Sequence, residues 1–80
     1  MNEDIIILKL QDVFREFFGN SGIDITKETK KEDIDEWDSV LHIQLIFEIE
    51  SAFDVMFEAE DIPEMISIER ITDKLQELGV

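Results

Sequence analysis

Cysteine is absent from this 80-residue chain, which excludes disulfides, thiolate nucleophiles and cysteine-ligated zinc and agrees with a reducing compartment. Glycine is scarce, and Gly19, Gly22 and Gly79 form no GxGxxG or Walker pattern, so no phosphate-cradling loop is expected. No apolar run is long enough to cross a bilayer, because IIILKL falls far short of the roughly 20 residues required. That run follows acids rather than lysines and has no small-residue cleavage site, so it does not read as a signal peptide; the expectation is a soluble, cytoplasmic chain. Positive charge is the other shortage. Lys and Arg number 7 against 21 Asp and Glu, a formal net charge of -14, which disfavours nucleic acid and anionic membranes as partners and favours basic protein surfaces. From Glu32 to Glu69 there are 13 acids and no Lys or Arg. Solubility is the commoner meaning of an acidic surface, but a block this one-sided favours a partner with a positive patch.

What is present suffices for one modest core. With 44% apolar residues, residues 1–80 are expected to form one domain whose core consumes most of the Ile, Leu and Phe, leaving little for a deep substrate pocket. A self-sufficient enzyme is not expected. Ile6, Leu10, Val13 and Phe17 recur at helical spacing over about 3–18, closed by Gly19-Asn20. The period is then lost as far as Trp37, although Ile23, Ile25 and Ile34 can hold this long connection to the core. Asp38 can cap a second helix that runs without Gly or Pro to about Phe53. A loop over 54–59 and one short turn over 61–65, with Pro63 in its first positions, lead to a last helix. Ser67 caps it, Ile68, Ile71, Leu75 and Leu78 line one face, and Gly79 ends it. The fold class expected is all-α: three main helices and a short one.

The second helix has more apolar surface than one core contact needs. At about 100° per residue, Leu45, Ile46, Ile49, Ala52 and Phe53 share a broad face, while Val40, Ile43 and Phe47 form a narrower stripe roughly opposite, flanked by Gln44, Glu48, Glu50 and Ser51. Cover by the short helix near Met65 is the plain explanation. As a group, an apolar strip rimmed by acids looks more like a docking surface. Ser39 lies in the first turn, where free amides and the helix dipole favour an anion. A Ser at a helix start is ordinarily a cap, yet Asp38 is already available for that task and the stripe begins at the next residue, so a modifying enzyme could grip the strip and reach the hydroxyl.

Catalytic readings fare worse. Ser39 as a nucleophile needs a base, and the single His42 has no obvious orienting group and points toward the core side, where a half-buried, hydrogen-bonded role is expected. Acid pairs such as Asp35 with Glu36 arise by chance in so acidic a chain. No stretch supplies an EF-hand loop, so no built metal site is expected, and only weak divalent-ion binding to the acidic face stays open.

Asp38-Ser39-Val40, followed by an acidic amphipathic helix that closes with Phe53-Asp54-Val55, resembles the D-S-L signature of acyl carrier proteins. The resemblance spans nearly the whole chain, with helices, long connection, size and acidity in family order. It implies a four-helix bundle of acyl-carrier type and 4'-phosphopantetheine, taken from coenzyme A by a phosphopantetheinyl transferase, on Ser39. The thiol of that group would hold acyl intermediates as thioesters. It further implies that Asp38, Val40, Ile43, Phe47 and Glu48 face partner enzymes, and that Ile62 and Met65 complete that face or line the mouth of an acyl-holding groove. The partners implied are an acyl-loading ligase or transferase and downstream synthases with basic docking patches, and the carrier itself is read as a monomer and not an enzyme. Val40 stands where the family commonly has Leu. Trp37 stands where fatty-acid carriers usually have a small residue, so Glu36-Trp37-Asp38-Ser39 is more similar to stand-alone carriers of specialised pathways, polyketide or polysaccharide among them. Trp37 could equally pack over the helix entrance as a hydrophobic staple. An aminoacyl or peptidyl carrier and an unmodified acidic interaction module are the alternatives; a hydrolase using Ser39 and His42 ranks below both.

Overall fold

Asn2 opens the first helix by accepting a hydrogen bond from the Ile5 amide at 2.9 Å, satisfying one of the amides that a helix start leaves free. In the computed structural model, which describes all of residues 1–80, α1 spans Glu3–Phe18 and ends at Gly19 with φ 64°, the left-handed conformation in which glycine escapes the Cβ penalty. The second helix, α2, spans Ser39–Phe53, and α3 spans Ile68–Glu77. Two single 3-10 turns, Lys31–Asp33 and Ile62–Glu64, complete an all-helical architecture without strands. The expected short third helix is the second of these turns, with Pro63 in its opening positions. The first turn was not anticipated.

α1 packs against both α2 and α3. Ile6, Leu10 and Phe14 form its fully buried line, so the core edge is set one position away from Val13 and Phe17, which are only half-buried. Leu45, Ile46, Ile49 and Phe53 answer from α2 and Ile68, Ile71 and Leu75 from α3. Leu78, expected on that last face, is 43% exposed because α3 stops at Glu77 and Leu78 is already the residue that closes it.

Ile23, Ile25 and Ile34 are buried as expected, and polar side chains of α1 secure their backbone. The Ile25 amide donates to Gln11 Oε1 at 3.0 Å, while Arg15 donates to the Ile23 carbonyl and to Asp24, both at 2.6 Å. Farther along, the Lys31 amide donates to the Ile66 carbonyl and the Ile68 amide to the Thr29 carbonyl, both at 2.9 Å. This antiparallel bridge of Lys30 with Ser67 stitches the long connection to the start of α3. No helix is long and apolar enough to cross a membrane.

The molecule measures 29 × 25 × 21 Å and carries a formal charge of -14. At about 0.01 M salt the screening length, roughly 30 Å, matches the molecule itself, whereas at 1 M it is about 3 Å. Self-repulsion therefore acts across the whole surface in dilute salt. The melting temperature should rise with ionic strength over this range; a value insensitive to salt would show that the acidic surface is electrostatically harmless to the fold.

Candidate functional site

The start of α2 is built by a division of labour between two adjacent residues. Asp38 has extended backbone and its Oδ1 accepts from the Leu41 amide at 2.8 Å, while its carbonyl takes the first helical bond, from His42 N at 3.0 Å. Asp38 is thus the cap. Ser39, the first helical residue, is exposed, and its hydroxyl is left without a hydrogen bond to the protein. Just upstream, Asn20 Nδ2 donates to Glu36 Oε2 at 2.8 Å, and that bond holds the Glu36 carboxyl below the usual carboxylate range.

Beneath Ser39 the chain buries a polar pair. Trp37 Nε1 donates to His42 Nδ1 at 2.9 Å, so Nδ1 is the unprotonated acceptor and the proton resides on Nε2, which donates to the Ile62 carbonyl at 2.7 Å. Trp37 is 2% and His42 6% exposed, and the edge of Phe14 packs on Trp37 with ring centroids 5.1 Å apart. Trp37 occupies the staple position suggested for it, and its partner there is His42, to which a hydrogen bond joins it in place of an apolar contact. With both ring nitrogens engaged, His42 has no lone pair to offer Ser39, which removes the general base that a hydrolase would require.

Across the chain from Ser39, the turn Ile62–Glu64 forms the wall of a groove of about 460 Å³, lined by Lys31, Ser39, His42, Ile43, Ala59, Ile62, Pro63 and Ile66. The turn is held from both sides. His42 grips the Ile62 carbonyl, and Lys74 of α3 pairs with Asp61 at 3.2 Å, a contact that raises the lysine above its ordinary pKa. A larger, more polar depression of about 980 Å³ shares Lys31 and Ile66 with this groove, is lined also by Glu32, Asp35, Glu69 and Asp73, and does not include Ser39.

The apolar stripe is open to solvent: Val40 is 77%, Ile43 50% and Phe47 53% exposed. The short turn does not cover it, though Ile43 reaches the groove. Glu48 is exposed at the edge of the stripe nearest α1, in a recess with Val13, Glu16 and Phe17. Of the two residues expected beyond α2, Ile62 is half-buried on the groove, but Met65 is a correction. It is 2% exposed and part of the hydrophobic core, because the backbone turns inward where the 3-10 turn closes, and its side chain reaches neither the groove nor the face. Lys31, Ala59 and Ile66 line the groove without having been anticipated. Lys31 and Ile66 meet only through the backbone bridge described above, and no local spacing announces such a pairing.

A scan against protein-family models finds no match, and a search of curated proteins finds none. Among solved structures, the chain is similar to the solution structure of a holo acyl carrier protein from Geobacter metallireducens, with 27% sequence identity over 91% of this chain and 84% of that one and a TM-score of 0.81. Helix order, size and the superposition of nearly the whole backbone agree, and this chain has the acyl carrier protein fold.

Proposed function

We propose that residues 1–80 form one carrier domain that bears 4'-phosphopantetheine on Ser39 and presents acyl groups to partner enzymes in the cytoplasm. The observation that carries this reading is the free, exposed hydroxyl of Ser39 at the start of α2, in a chain with the carrier fold. Because Asp38 already caps the helix, modification of Ser39 costs the helix no hydrogen bond. A phosphodiester there would meet the unpaired amides and positive dipole end of a 15-residue helix. The prosthetic group, when bound, supplies a terminal thiol that holds acyl groups as thioesters.

The chain's own residues orient and deliver that arm. Ile43, Ala59, Ile62 and Ile66 offer apolar walls beside Ser39. Val40, Ile43 and Phe47 give a partner an exposed strip to bury, with Asp38 and Glu48 at its margins to attract basic patches and raise the rate of encounter. Those partners are a phosphopantetheinyl transferase, a loading ligase or transferase, and downstream synthases. Tethering the cargo raises its effective concentration at each active site in turn, so the carrier needs no catalytic group. Trp37 next to the attachment site favours a specialised biosynthetic pathway over general fatty acid synthesis.

Incubation with coenzyme A and a broad-specificity phosphopantetheinyl transferase should add one phosphopantetheine by intact mass, and Ser39→Ala should gain nothing. An unchanged wild-type mass would leave an unmodified acidic interaction module as the better account.

A further inference from the structure

We propose that Lys31 makes the Ser39 groove selective for an oxyanion, either the phosphodiester at Ser39 or a carboxylate on the carried acyl group. This rests on the carrier reading of Ser39. The groove holds Lys31, Ser39, Ile43, Ala59, Ile62 and Ile66 and is lined by no carboxylate, although the chain has 21 acids against 7 Lys and Arg. Of the other cations, Arg15 pairs with Asp24, Lys27 with Glu3 and Lys74 with Asp61 and Glu77, and Lys9 lies over the ring of Phe53; Lys30 and Arg70 have no ion pair either, but neither lines this groove.

Lys31 is half-buried, and no carboxylate lies within ion-pair distance of its ammonium. Its backbone is fixed at the groove, because its amide is bonded to Ile66, itself a wall of the same groove, although Lys31 also borders the more polar depression with Glu32, Asp35, Glu69 and Asp73. A lysine that lines the groove of the attachment hydroxyl and is left without an ion pair in so acidic a chain gains most from an anion brought in through Ser39. The groove's apolar walls hold the methylenes of such a group while the lysine meets its charged end.

The absence of cysteine permits a test that needs no transferase. In Ser39→Cys the single thiolate is alkylated, with loss of iodide, by an ω-iodohexanoate or by the corresponding neutral amide, and both adducts are melted with Lys31 intact, as Lys31→Gln and as Lys31→Arg. A second arm compares the apo and phosphopantetheine forms of the Ser39 protein with the same Lys31 variants. If the cargo carboxylate is the ligand, the carboxylate adduct should melt about 4 °C above the amide adduct, a gain erased by Lys31→Gln and kept by Lys31→Arg. If the phosphodiester is the ligand, the same Lys31-dependent gain should separate holo from apo protein. A Lys31→Gln change that leaves both increments untouched overturns the proposal. Failure of the wild type to accept phosphopantetheine, read by mass, would instead sink the carrier reading, and the alkylated adducts would still decide the role of Lys31.

Discussion

Phe14→Ala should cost about 3–5 kcal/mol, the range for emptying a fully buried aromatic site. Phe14 is 0% exposed, and its ring meets Phe18 at 5.9 Å and Trp37 at 5.1 Å, both edge to face. A chain of 80 residues has a total stability of roughly 4–12 kcal/mol, so one substitution can consume a large part of it. The cavity would open directly under Trp37, which holds the approach to α2, so the site should loosen before the rest of the bundle. Thermal melting should show a fall of at least about 12 °C. Phe17→Ala, which truncates a half-buried ring, is the control and should fall much less. Equal losses at the two positions would mean that α1 is not seated as described.

Trp37→Phe should destabilise by about 1–3 kcal/mol, the cost of leaving one buried acceptor unsatisfied. The substitution keeps an aromatic ring against Phe14 but removes the only donor to His42 Nδ1. His42→Leu should cost a similar amount, since it strands the indole N–H and releases the Ile62 carbonyl. The informative quantity is the double variant. Because the double variant orphans only the Ile62 carbonyl, against three groups across the two single variants, the combined cost should fall short of the sum by at least about 0.5 kcal/mol. Denaturant titration of all four proteins measures this, and strict additivity would dismiss the bond as a stabilising unit. Nitrogen chemical shifts of His42 provide a second check, with Nε2 protonated and Nδ1 bare in the wild type.

Much of the fold was legible because it depends on local chemistry. Asn2, Asp38 and Ser67 each have a side-chain oxygen that accepts from an amide three residues on, and a cap of that kind is written within four consecutive residues. The exposed stripe was equally legible, since helical periodicity fixes which side chains share a face before any partner is known. The same reasoning placed His42 toward the core. It did not show that Trp37 would be its hydrogen-bond donor, because two residues at staple spacing look alike whether they meet through carbon or through nitrogen.

Local rules failed where the chain bends back on itself. Met65 was expected to complete the outer face or line the mouth of a groove, and it is buried in the core instead, because the inward course of the backbone after Ile62–Glu64 is decided by what α2 and α3 leave to be filled. Lys31 carries no local signal that singles it out, and it becomes a groove residue where its backbone meets Ile66 across the chain.

By itself, then, the sequence determined the helices, their caps, the acidic block and the solitary hydroxyl at the head of α2, all of which follow from neighbours along the chain. The tertiary structure decided which residues surround that hydroxyl. Groove walls come from segments some twenty residues apart, such as Ile43 and Ile62, and their meeting is held by His42 on the Ile62 carbonyl and Lys74 on Asp61 rather than by any spacing within them.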